Sequence, residues 1–209
     1  MNRTSTTYPW DPARWALLSG ALGVIANVLL IAFYALSQPW QPGERPYGWV
    51  GAINDVFVTA QYAALIPVAF GLRVALQRHR LGWIAWLGVS AMMLIVLLQA
   101  LLLLGVMKFD VEGIAVSLCI AGAFGWMLAM VRIGNRDGVF TGRLANFGTA
   151  IGVAFVLGLA LVGLAFLLPK GSVPQYAAFG TGGAFASFAW LGFPFWLIWA
   201  RNRLSQMGN

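Results

Sequence analysis

The sequence predicts an all-α integral membrane protein, a single domain over residues 1–209 built as a bundle of six transmembrane helices. Three observations predict it: the composition, six apolar runs of spanning length, and arginines that alternate between the two sides of those runs. Residues are 60% hydrophobic and 9% charged, with a mean hydropathy of +0.80, whereas soluble domains carry roughly a quarter charged residues. Water does not tolerate that much apolar surface, and lipid does.

A span needs about 20 mostly apolar residues. Six stretches qualify: Trp15–Ser37, Trp49–Leu72, Leu81–Val106, Ile114–Gly134, Thr149–Leu168 and Tyr176–Ala200. They are apolar all round, whereas barrel strands would alternate over about ten residues. The first run is too long for the apolar core of a signal peptide, about 7–15 residues, so it reads as a retained span. In the sixth, Ser172 followed by Pro174 spells a cap and a first-turn proline. The helix is therefore expected to start upstream, with Gly180, Gly182 and Gly183 inside it as packing positions.

Orientation follows from charge. One side of this arrangement holds ten basic residues (Arg3, Arg14, Arg73, Arg78, Arg80, Arg132, Arg136, Arg143, Arg201 and Arg203) and the other only Arg45, Lys108 and Lys170. Arginine and lysine stay on the cytoplasmic side, so both termini are expected in the cytoplasm. Low lysine with abundant arginine, glycine, alanine and tryptophan suggests a bacterial plasma membrane. Trp10, Trp15, Trp83, Trp86, Trp196 and Trp199 fall near predicted inner ends, and Trp40 and Trp49 near outer ends, as two aromatic belts. Trp126 and Trp190 sit deeper and are expected to pack.

The helices also hint at repetition. Arg14, Arg80 and Arg143 each precede a glycine-valine step at Gly23, Gly88 and Gly152, with spacings of 65 and 64 residues. Pro67, Gly125 and Pro194 each precede an arginine by six or seven residues. Three parallel hairpins with a pseudo-threefold repeat would produce this pattern. Convergence would produce it too, because glycine is common in spans and arginine marks every inner end.

Composition removes many functions. The net charge of +7 is spread over short connections rather than gathered in a basic stripe, so no nucleic-acid partner is expected. Cys119 is the only cysteine and His79 the only histidine. That excludes an intrachain disulfide, a thiolate cluster, a bis-histidine haem and a serine–histidine dyad within the bilayer. Lys108 and Lys170 lie in connections, so no span offers a lysine for retinal. Gly180-Thr181-Gly182-Gly183 lacks the lysine of a phosphate loop. No cofactor, no metal site and no enzymatic activity are expected.

Polar groups within spans are costly and are the default functional candidates. The string Asn54-Asp55 on the second span, with Gln61 on the same span and Gln99 on the third, forms the candidate ligand-binding set, with Asp55 as its ionisable member. If the second helix began only at Val56, Asp55 would instead be its N-cap. Asn27, Gln61 and Gln99 also suit interhelical hydrogen bonding, contributing about 0.6–2 kcal/mol each. Asp110 and Glu112 beside Lys108 are expected on a solvated outer rim. Two functional expectations result. The first is an accessory or interaction subunit, its partners the lipid bilayer and other membrane subunits or further copies of itself. The alternative is a small transporter or channel-like protein binding a proton, cation or small polar solute at an outward-facing cluster around Asp55.

Overall fold

A computed structural model describes residues 11–37, 47–75 and 82–206. They form six α-helices: α1 (Pro12–Ser37), α2 (Gly48–Ala75), α3 (Gly82–Leu103), α4 (Phe109–Arg136), α5 (Gly142–Leu167) and α6 (Val173–Ser205). All six are long and apolar enough to cross a membrane. Arg3, Trp10, Trp40, Arg45, Arg78, His79 and Arg80, invoked above, lie outside the described residues.

Where helix bounds differ from the apolar runs, local chemistry explains the difference. Hydropathy marks the part of a helix suited to lipid, and helices continue past it. α5 opens at Gly142 rather than near Thr149, and α6 runs on to Ser205, carrying Arg201 and Arg203 with it. α4 starts at Phe109 rather than Ile114, which puts Glu112 in its first turn, where negative charge is favoured by the helix dipole; the side chain of Asp110 lies outside the described residues. α3 ends early, at Leu103. There Gly105 takes φ +70°, its N–H donates to the carbonyl of Leu102 (2.9 Å), and the N–H of Val106 donates to that of Leu101 (2.9 Å). This is the glycine-terminated Schellman pattern. α6 begins as expected: the Ser172 hydroxyl accepts from the Gln175 N–H (3.3 Å), and a proline lies in the first turn.

Each helix packs on its neighbours in sequence, and α6 packs back onto α1, so the six extensive contacts form a ring in chain order. Successive helices run antiparallel, as contacts at one rim show. Pro12 of α1 lies against Gly71 of α2. Arg73 of α2 sits 4.8 Å from the ring centre of Trp86 on α3, and Arg203 of α6 donates to the Thr141 hydroxyl just before α5 (3.3 Å). This arginine rim gathers the starts of α1, α3 and α5 and the ends of α2, α4 and α6.

Close backbone approach draws the ring together. A Cβ on Gly158 of α5 would lie 2.8 Å from the Gly182 carbonyl oxygen of α6, and one on Gly182 2.9 Å from that of Gly158. Small residues at such crossings are the main adhesive between membrane helices. Of the three glycines expected to pack in α6, only Gly182 does; Gly180 and Gly183 meet nothing within 4 Å. Tyr62, Leu65, Met92, Trp126, Met127 and Trp196 fill the core. Trp196 is therefore not a belt residue: it is buried, and its indole N–H donates to the Leu144 carbonyl (3.2 Å). Trp83 and Trp86 at the arginine rim and Trp49 at the other are at least half exposed.

Candidate functional site

Two features occupy the half of the ring farthest from the arginine rim. The first is polar. On α2, Val50, Asn54, Val58, Gln61 and Leu65 form one buried stripe at helical spacing, with Asp55 half-buried beside it. α2 begins seven residues before Asp55, at Gly48, so Asp55 is within the helix and is not its N-cap. The Asn54 amide donates to the Asp55 carboxylate at 3.4 Å, a long contact that leaves Asn54 Oδ1 unpaired. The Thr59 hydroxyl donates to the Asp55 carbonyl (2.7 Å), a bond back along its own helix.

The structure adds a residue that was expected at a solvated rim. Glu112 is 3% exposed. It heads the stripe Glu112, Val116, Ala123, Met127 and Met130 on the buried side of α4, and its Oε1 has no hydrogen-bond partner. Asp55 lies within electrostatic range of it. That i, i+4, i+11 spacing was visible in the sequence. Gln99 is likewise buried on α3, the helix that packs against both α2 and α4, and its Oε1 is also unpaired. By helix rise, about 1.5 Å per residue, Glu112, Gln99 and Asp55 lie about 4–11 Å from the ends of their helices at this rim.

Gln61 is placed apart from this cluster. It lies on the Asn54 face but about 10 Å deeper by helix rise. A Cβ on Gly23 of α1 would sit 2.6 Å from its Nε2, and its backbone carbonyl accepts from the Ser19 hydroxyl (2.9 Å). Gln61 thus joins α1 to α2. Asn27 is also buried, with an unpaired Nδ2.

Three of the buried unpaired atoms, one on each of α2, α3 and α4, share one property. Asn54 Oδ1, Gln99 Oε1 and Glu112 Oε1 are all acceptors. A buried acceptor without a donor costs about 1–3 kcal/mol, and two neighbouring carboxylates repel when both are charged. A proton or a hard cation relieves both penalties, because such cations take oxygen ligands. Among the described residues no group of three or more His, Cys, Asp or Glu gathers to hold a metal ion.

The second feature is a chamber of about 610 Å³ bounded by α1, α4, α5 and α6. α1 and α4 are opposite one another in the ring order, so space bounded by both is interior. Its walls include Leu30, Ile31, Phe155, Leu159, Val162 and Trp190. Toward the arginine rim it is closed by aromatics: Phe124 stacks on Phe155 at 4.2 Å and contacts Phe193 at 5.3 Å. Asn54, Asp55, Gln61 and Gln99 do not line it.

The fold and site define a six-helix ring, each helix able to span a membrane, with unpaired buried acceptors on three successive helices and an apolar chamber in the half away from the arginine rim. No protein family matches this chain, and neither does any curated protein or solved structure.

Proposed function

We propose that this chain is a small transporter or channel-like protein of a bacterial plasma membrane, with both termini cytoplasmic. In this reading it binds a proton or small cation from outside at Asp55, Glu112, Asn54 and Gln99. The observation that carries it is a set of three buried, unpaired acceptor oxygens on α2, α3 and α4, of which Asn54 adjoins the half-buried Asp55 and Glu112 lies in its electrostatic range. The arginine rim supports the orientation, since arginine stays on the cytoplasmic side. The carboxylates supply charge and the two amide oxygens supply neutral ligands.

The first expectation, an accessory subunit, accounts for the short connections but assigns nothing to these oxygens. The binding reading therefore takes precedence. A pseudo-threefold repeat of hairpins is compatible with a ring in chain order. Gly23 and Gly88 each meet the second helix of their own hairpin, through Gln61 and Trp126, whereas Gly152 meets Leu128 of α4.

The test is thermal unfolding of the purified protein in detergent, followed by tryptophan fluorescence. Sodium, potassium, magnesium, calcium and manganese chlorides are compared with choline chloride, and proton uptake is titrated in parallel. One cation, or the proton, stabilises the wild type and has no such effect on Glu112→Gln. Equal unfolding in every salt, with no proton uptake lost in Glu112→Gln or Asp55→Asn, would falsify the reading.

A further inference from the structure

We propose that the chamber holds the aliphatic tail of a lipid from the leaflet opposite the arginine rim. The inference needs the chain to sit in a membrane but not the cation site to be real.

The walls argue against water as the resident. A space of about 610 Å³ would hold on the order of twenty waters at about 30 Å³ each, and a buried water needs two to four polar partners. The lining offers only the hydroxyls of Tyr34, Ser117 and Ser187, and Ser117 already donates to the Gly113 carbonyl at 2.6 Å. The remaining lining side chains are apolar, most of them branched aliphatic or aromatic. Ile31, Leu159 and Leu191 line the chamber and are 58%, 45% and 38% exposed, which leaves apolar surface for a guest. The volume falls within the range of about 300–1,000 Å³ typical of small-molecule sites.

Depth selects a lipid tail. Phe155, the lining residue of α5 nearest the arginine rim, is twelve residues from the end of α5 at Leu167, about 18 Å by helix rise. One leaflet of hydrocarbon is about 15 Å, half of the bilayer core. On α6 the lining reaches Trp190 and Leu191, near the middle of that helix, so the space is elongated along the helices from Tyr34 to their middle, as an aliphatic tail is. Tyr34 lines it only three residues before the end of α1, the level at which tyrosines meet headgroups.

Protein extracted from vesicles of phosphatidylethanolamine and phosphatidylglycerol with brominated tails is examined by native mass spectrometry and tryptophan fluorescence. One brominated lipid is expected to remain bound after delipidation, and the quenching it causes is expected to shrink in Trp190→Phe. Leu159→Trp and Ser117→Phe fill the chamber from opposite walls, and each folded variant is expected to lose the retained lipid. Retention unchanged in a folded filling variant overturns the proposal, as does a wild type that retains no lipid. A water-soluble compound or a peptide as the retained mass also overturns it. The cation experiment reads an unfolding temperature and proton uptake, not a retained lipid mass or quenching by bromine, so each proposal fails separately.

Discussion

Glu112, buried in the first turn of α4, lies within the electrostatic field of Asp55 on α2, with its Oε1 unpaired. Two carboxylates on different helices, both flanking α3, oppose one another unless something positive is shared between them. In cation-free buffer Glu112→Gln should therefore not destabilise the protein, and relief of repulsion should favour it. The double variant Asp55→Asn/Glu112→Gln should depart from additivity by about 0.5–3 kcal/mol, as coupled neighbours do. Chemical unfolding of the four proteins in the cycle measures this. Strict additivity would place the two carboxylates out of contact.

The glycines of α6 separate packing from propensity. A Cβ on Gly182 would collide with the Gly158 carbonyl oxygen at 2.9 Å and the Val162 N–H at 3.0 Å, both backbone, whereas Gly183 faces open space. Gly182→Ala should cost about 1–3 kcal/mol through overpacking. Gly183→Ala should instead gain up to about 1 kcal/mol in helix propensity. Equal melting temperatures for the two variants would remove the α5–α6 crossing as the reason for Gly182.

Much of this was legible beforehand, and what was not has a physical cause. Apolar runs marked all six helices, and Ser172 with Pro174 marked the start of α6, because solvent preference and capping are local properties. Which side of each helix faces its neighbours was hidden. A helix that is apolar all round carries no stripe to distinguish a protein contact from lipid, so the closure of α6 on α1 and the chamber went unread. Asn54, Asp55, Gln61 and Gln99 were singled out because a polar group in an apolar run stands out. Glu112 was placed at a solvated rim because charge near Lys108 resembles a loop; its burial follows from the early start of α4, which extends the apolar spacing of Val116 and Ala123 back to it.

The cap itself can be tested. The Ser172 hydroxyl accepts from the Gln175 N–H, and the Gln175 side chain accepts from the Gly171 N–H (2.7 Å) while donating to the Ala165 carbonyl (3.1 Å). The connection between α5 and α6 is thus held at both ends. Ser172→Ala should cost about 1 kcal/mol, and Ser172→Asp should restore most of it. Hydrogen exchange of the Gln175 amide reports the loss locally.

Orientation can be read from two new cysteines once the single native one is replaced. Cys119 lies within α4, partly buried, so a Cys119→Ser background is expected to fold. Met107→Cys falls between α3 and α4 at the rim opposite the arginines, and Ser205→Cys at the end of α6 on the arginine rim. In intact cells a membrane-impermeant maleimide should label the first and leave the second untouched until the membrane is opened. The reverse pattern would put Asp55 and Glu112 on the cytoplasmic side, so that a cation would have to arrive from within. The arginines would then face the side from which the membrane potential normally excludes them.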